Sequence, residues 1–385
     1  MATGIMLVGL NGVNASTLIA GCTAMQCREI SKQYGITTIP PFENTSFVDI
    51  DEMVFSGWDY FDANQYEMIN DYRTINLPSS DVFKKKLQAI KPFKGIRTEK
   101  DICIEDKFNH YLVPESITSA ISIIEKNIDE FKSNLSLDTV IVIFVGSPSK
   151  KSPAELKSYT YEEILAQDIN AVPSGLLYAI AAVQSQAHFV DFTPSETLEF
   201  NFLWRLAEKY GVQLSGRDGS TGQTMLKLTI ANMLKIRNLR LNAWYSTNIL
   251  GNHDGYILSN PDYCETKIED KMNGIAPLLG YDDFEHKVTI DFFQTRFDSK
   301  ESWDSIDFSG WIGTPMRLKI NWQGKDAILS APILLDIIRL IDYGFHKNLS
   351  GFQRQLGLFY KHPFGCEGMS LECMYNNLIQ FYNEL

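Results

Sequence analysis

The run Thr139-Val-Ile-Val-Ile-Phe-Val constrains this chain more than any other stretch. It is apolar almost throughout and rich in β-branched residues, which predicts a strand buried on both faces. It stops at Gly146-Ser-Pro, where helix is excluded and a loop must begin. Shorter strand patterns occur at 5–8, 53–56, 188–192 and 212–215, with helical patterns from the first turn to about residue 32 and at 174–187 and 199–210. Such alternation predicts an α/β fold, a mostly parallel sheet covered by helices.

Near Thr224 the pattern changes. A helix at 225–235 leads to strands at 239–245, 287–293 and 316–322. Their alternation, as in Lys287-Val-Thr-Ile-Asp-Phe-Phe, predicts a sheet with one wet face or an assembly surface. Helices at 331–343 and 371–382 follow. The expected organisation is a Rossmann-like nucleotide-binding domain at 1–223 and 329–385, interrupted by an inserted α+β sheet domain at 224–328.

The nucleotide expectation rests on Ile5-Met-Leu-Val-Gly9-Leu-Asn-Gly12-Val-Asn-Ala15, a strand, glycine turn and helix start. One glycine permits the tight turn, a second admits a pyrophosphate, and a small third residue permits close helix packing. Gly9, Asn11, Gly12, Val13 and Asn14 form this candidate turn, with Ser16 and Thr17 as further donors beside a helix N-terminus. Asp59, after a buried strand, is either a ribose ligand or the N-cap of a helix at 60–69.

The remaining candidates are polar. Asp218 lies between glycines, and Thr221-Gly222-Gln223-Thr224 leads into a helix, an arrangement suited to a phosphate monoester or to simple capping. Asn248, Asn252 and Asp254 fall in a glycine-punctuated loop. Lys267 and Lys271 share a helical face beside several acids, the pattern of a solvated surface as well as of a site. Lys300 follows Asp298-Ser299 as a loop cap or ligand contact. Lys361, in Leu358-Phe-Tyr-Lys-His-Pro, has apolar neighbours expected to desolvate it.

Composition narrows the partners. Thirty-five Lys and Arg against 47 Asp and Glu leave a net charge of −12, which argues against non-specific nucleic-acid binding. Six scattered cysteines form no Cys-x-x-Cys pair, the start carries no basic leader, and no apolar run reaches membrane-spanning length. The expectation is a cytoplasmic protein acting on a small molecule, with neither nucleic acid nor membrane as partner. No histidine pattern suggests zinc, and no Gly-x-Ser-x-Gly elbow suggests a serine hydrolase.

Taken in order, these segments resemble the myo-inositol-1-phosphate synthase family from Gly9 to Lys361. Phe55-Ser-Gly-Trp-Asp59 is similar to its Gly-Gly-Trp-Asp, and Val190-Asp-Phe-Thr-Pro194 stands where it has Ile-Asn-Gly-Ser-Pro. Residues 216–224 resemble Gly-Asp-Asp-Phe-Lys-Ser-Gly-Gln-Thr, and 246–255 resemble Ser-Tyr-Asn-His-Leu-Gly-Asn-Asn-Asp-Gly. Lys267 and Lys271 keep the family's paired-lysine spacing, and Asp298-Ser-Lys300 resembles Gly-Asp-Ser-Lys. Asp326, ahead of Ser330-Ala-Pro332-Ile-Leu-Leu-Asp336, and Lys361 also find counterparts. Departures include Gly146-Ser-Pro for Ala-Asn-Thr, Ala15 for glycine, Arg217 for aspartate, Ser220 for lysine, and Ile249 and His253 for histidine and asparagine.

The resemblance implies NAD as cofactor and redox-neutral conversion of glucose 6-phosphate to 1L-myo-inositol 1-phosphate by a homotetramer. It implies that Lys271, Lys300 and 221–224 hold phosphate, that Lys267 and Lys361 stabilise oxyanions, and that Asp218 and Asp326 orient lysines. Asn248, Asn252 and Asp254 would line the sugar and nicotinamide. Gly146, Ser147, Thr193, Asp218, Asp254 and Asp298 would stand near the cofactor. The competing readings are an NAD(P)-dependent dehydrogenase, a cyclase for another sugar phosphate, and a non-catalytic nucleotide binder.

Overall fold

A computed structural model describes residues 2–76, 78–101, 108–251, 255 and 275–385. The chain divides into two compact units, Met1–Asp218 with Ser330–Gln353, and Gly219–Leu329 with Arg354–Leu385.

The first unit is built on a parallel sheet. Its strands are β1 (Thr3–Val8), β2 (Met53–Asp59), β3 (Phe93–Ile96), β4 (Tyr111–Leu112), β5 (Thr139–Phe144), β6 (His188–Asp191), β7 (Gln213–Gly216) and a short strand at Gly351–Phe352. The spatial order is the Gly351–Phe352 strand, then β7-β6-β5-β1-β2-β3-β4. β1 and β5 are buried at every position, as the apolar runs 5–8 and 140–144 require. Each buried Ile or Val side chain stabilises the fold by about 1.5–3 kcal/mol. The helix Ile117–Leu135 shows how the layers form: Ser116 caps it, and Ile117, Ala120, Ile121, Ile124, Ile128 and Phe131 bury one stripe at helical spacing.

The first helix, Val13–Gln26, is shorter than expected, because Cys27 caps it and Arg28 turns left-handed at φ 65°. Nor does a helix begin at 60: it spans Gln65–Tyr72, with Asn64 and Glu67 forming the capping box.

The second unit holds a four-stranded mixed sheet. Its strands are β8 (Arg240–Leu250), β9 (Glu285–Phe292), β10 (Ser299–Ser309) and β11 (Pro315–Lys325), in the order β11-β10-β8-β9. β8 and β9 run parallel, and the other two pairings are antiparallel. One face packs on the helix Gly222–Ile236 through Ile230, Leu234, Leu241, Trp244 and Ile306. The C-terminal stretch 354–385, expected to rejoin the nucleotide-binding domain, groups with this unit instead. Gly219 bridges Tyr360, the Ser220 amide donates to the Phe359 carbonyl, and the helix Leu371–Asn383 packs on residues 354–359.

Candidate functional site

The cofactor turn is shaped from within. Gly9 has φ +93°, and a Cβ there would lie 2.8 Å from the Gly146 Cα, so the loops after β1 and β5 approach this closely only because residue 9 is glycine. The Asn11 side chain points inward, donating to the carbonyls of Phe61 and Ala63 at 2.7 and 3.0 Å and accepting from Gln65. Asn11 therefore shapes the loop, and its carboxamide is spent inside the protein. Asp59 is no helix cap. Its two oxygens accept from the amides of Asn11 and Phe61 at 2.8 and 3.0 Å, and desolvation pushes its carboxyl up to about 6.

Gly12 is the N-cap of the Val13–Gln26 helix and no side chain caps that end. Its first-turn amides thus lack a protein side-chain acceptor, and the Ser16 hydroxyl beside them is buried with no hydrogen-bond partner. Asn14 bonds to Ser330 at 2.9 Å. Ser147 is exposed in the loop after β5.

The loops after β6 and β7 are stapled together. Asp191, fully buried, accepts from the amide and hydroxyl of Thr193 at 2.9 and 2.7 Å. The Asp218 amide donates to the Thr193 carbonyl at 3.0 Å, which holds Asp218 in left-handed backbone at φ 61°. Arg217, the family's aspartate position, donates to the Pro194 carbonyl at 2.7 Å and pairs with Glu199 at 2.5 Å. Desolvation drives the Asp191 carboxyl up to about 7, aided by Asp218 and opposed by Arg217.

In the second unit the polar groups converge on the start of the Gly222–Ile236 helix. Thr221 is its N-cap, yet its hydroxyl donates to Asp326 at 3.1 Å instead of capping the first turn. Asp326 also accepts from the Lys300 ammonium at 2.9 Å. Gly222 is required by Trp322, since a Cβ would lie 2.2 Å from its ring. The result is a set of uncapped amides with a hydroxyl, a carboxylate and a buried ammonium alongside, which includes donors of the kind an anion requires.

Other candidates fall in different settings. Lys300 is no loop cap but the second residue of β10, paired with Leu250 and Gly324. Asn248 lies buried within β8, donating to the Thr289 carbonyl at 3.4 Å, so it is not part of a loop. Asp298 is buried in the turn before β10, Thr224 is half-buried, and Lys361 is half-buried after the buried Tyr360. Asn252, Asp254, Lys267 and Lys271 lie outside the described residues.

Two residues with no signal in the sequence stand out. Asp304, buried on β10, accepts from Trp244 at 2.8 Å, from the Ser246 hydroxyl and from Gln223 at 3.1 Å. Lys227, buried on the Gly222–Ile236 helix, is driven down to about 8 by desolvation. The stretch around Asp304 carries no apolar alternation, because Lys300, Ser302 and Asp304 fill its buried positions.

A family model described as myo-inositol-1-phosphate synthase, an NAD-binding family, matches residues 29–380. Inositol-3-phosphate synthase 1 of Bacteroides thetaiotaomicron is 32% identical, covering 94% of this chain and 89% of its own. The chain belongs to the myo-inositol-1-phosphate synthase family. The inositol-3-phosphate synthase of Saccharomyces cerevisiae is 25% identical over 88% of this chain and 73% of its own. Among solved structures, the Caenorhabditis elegans inositol-3-phosphate synthase shares the fold, with a TM-score of 0.86 at 22% identity over 98% of this chain and 84% of that one.

Family membership makes this chain an NAD-dependent enzyme of the inositol-phosphate synthase type. The residues present fit the cofactor: Gly9 keeps the turn clear of a side chain, and the uncapped helix start with the orphaned Ser16 hydroxyl suits a pyrophosphate. No helix among the described residues is long and apolar enough to cross a membrane.

Proposed function

We propose that this protein converts glucose 6-phosphate to 1L-myo-inositol 1-phosphate by oxidation at C5, enolisation, intramolecular aldol addition to C1 and reduction at C5. The observation that carries this reading is the Thr221–Asp326–Lys300 assembly at the uncapped start of the Gly222–Ile236 helix. It offers a phosphate monoester directional amides and one desolvated ammonium, inside a protein of net charge −12.

When bound, NAD supplies the oxidation and later the reduction at C5, so no reduced cofactor accumulates. Gly9, Gly12, Val13, Asn14 and the loops carrying Gly146, Ser147 and Thr193 would hold it, with Asp59 fixing the turn and available to the ribose. Asp218, set by the Thr193 carbonyl, Asp298 and Asp254 complete that proposed shell. Lys300, Lys271 and the amides of 221–224 hold the phosphate, and Asp326 orients Lys300. Lys267 and Lys361 stabilise the oxyanions at C5 and C1 and move protons during enolisation, with Asn248 and Asn252 lining the sugar. Holding the acyclic sugar folded for ring closure contributes up to about 7–11 kcal/mol.

The outer face of the second sheet supports a homotetramer. Tyr245, Phe293 and Trp303 are exposed there around a groove of about 770 Å³, an apolar surface that a second copy would cover. The cysteine pattern supports a cytoplasmic setting: Cys22, Cys27, Cys366 and Cys373 are free thiols.

The test is incubation with glucose 6-phosphate and NAD, following absorbance of reduced cofactor while the product is identified by NMR. A cyclic inositol monophosphate without net reduction is expected. Net reduction in step with sugar consumption would assign a dehydrogenase instead.

A further inference from the structure

The Gln223 side chain faces a carboxylate of the protein itself. It is buried, and its Nε2 lies 3.1 and 3.4 Å from the two oxygens of Asp304. The Trp244 indole N–H and the Ser246 hydroxyl donate to the same carboxylate, so three donors converge on one buried charge, the condition under which burying it is tolerable. Lys227 stands four residues beyond Gln223, on the same helical face, and its charge acts on Asp304. The Lys227 ammonium lies 3.4 Å from His286 and 5.6 Å from the centre of the Trp244 ring.

β10 connects this cluster to the phosphate site. Lys300 and Asp304 are four apart on one strand and therefore share a face. Lys300 grips Asp326, which takes the Thr221 hydroxyl, while Asp304 takes the Gln223 carboxamide. The turn at 221–223 is thus pinned from both sides by one strand.

We propose that Asp304 is the positioning residue of the phosphate site: it locks the Gln223 carboxamide inward, so the turn offers an anion its backbone amides at a fixed distance from Lys300. This rests on the phosphate-binding role proposed above and assigns its geometry to a residue that touches neither sugar nor cofactor.

The test uses the full-length protein with NAD. In D304N the new amide keeps an oxygen for Trp244 and Ser246 but sets a donor against Gln223 Nε2. In Q223E/D304N the acid and the amide exchange places and the pair re-forms. Q223A removes the link while leaving the other Asp304 contacts intact, and it covers the case in which D304N fails to fold.

Thermal stabilisation by inorganic phosphate gives a readout apart from turnover. The apparent phosphate affinity should weaken about tenfold in D304N and in Q223A and recover in the double variant. The KM for glucose 6-phosphate should rise in parallel, with kcat within about twofold. Unchanged phosphate affinity in folded Q223A would overturn the proposal. So would a double variant that regains melting temperature but not affinity, the behaviour of a purely structural staple. So would a wild type that phosphate does not stabilise. An Asp304-dependent phosphate effect without cyclisation of glucose 6-phosphate would leave the positioning role standing and remove the proposed reaction.

Discussion

Replacing Asp191 by asparagine isolates the energetic consequence of one buried carboxyl. Asp191 is fully buried at the end of β6, and its ordinary value of 3.8 is pushed up to about 7 by desolvation. The folded state therefore holds its proton more tightly than the unfolded chain does. Below about pH 4 both states are protonated and the side chain costs nothing; as pH rises through 7 the folded state must accept a desolvated charge, and stability is lost. At about 1.4 kcal/mol per pH unit of displacement, the loss is on the order of 4 kcal/mol by pH 8. Asparagine keeps the oxygen that accepts from the Thr193 amide and hydroxyl. D191N should match wild type near pH 4 and become progressively more stable than it up to pH 8. Denaturant or thermal unfolding of both proteins across that window reads the difference. A difference that stays constant with pH, or a D191N that is the weaker protein at pH 8, would refute the reasoning.

Four further outcomes are expected. G9A places a Cβ 2.8 Å from the Gly146 backbone at φ +93°, and should cost about 1–3 kcal/mol of stability and weaken NAD binding measured by calorimetry. K300M should raise the KM for glucose 6-phosphate by roughly tenfold or more, because it removes the ammonium that pairs with Asp326 beside the helix start; an unchanged KM in steady-state kinetics counts against its phosphate role. K361M should bind NAD normally yet lose turnover, and retained turnover would remove it from the chemistry. W303D puts a charge on the exposed outer sheet face and should shift the assembly toward smaller species in light scattering.

The parallel sheet was legible because β1 and β5 carry the apolar runs 5–8 and 140–144, and burial on both faces accounts for such runs. β10 was not legible. Lys300, Ser302 and Asp304 occupy its buried positions, so its inner face reads as polar surface. Those residues are tolerated inside because Asp326 and the donors Trp244, Ser246 and Gln223 satisfy them, partners distant in sequence. The same limit explains Asn248, whose glycine-rich neighbourhood suggested a loop although it belongs to β8. Asp59 was found as important, but its work on the Asn11 amide depends on a contact 48 residues away. The placement of 354–385 turned on the Gly219–Tyr360 bridge, which has no local signature.

The central claim is that oxidation and reduction occur at one carbon within a single turnover. Glucose 6-phosphate carrying deuterium at C5 tests it most directly, with NMR of the product and absorbance of the cofactor recorded together. Deuterium retained at the corresponding carbon of an inositol monophosphate, with no reduced cofactor released, is the predicted result. Deuterium found in free reduced cofactor beside an open-chain oxidised sugar would contradict it.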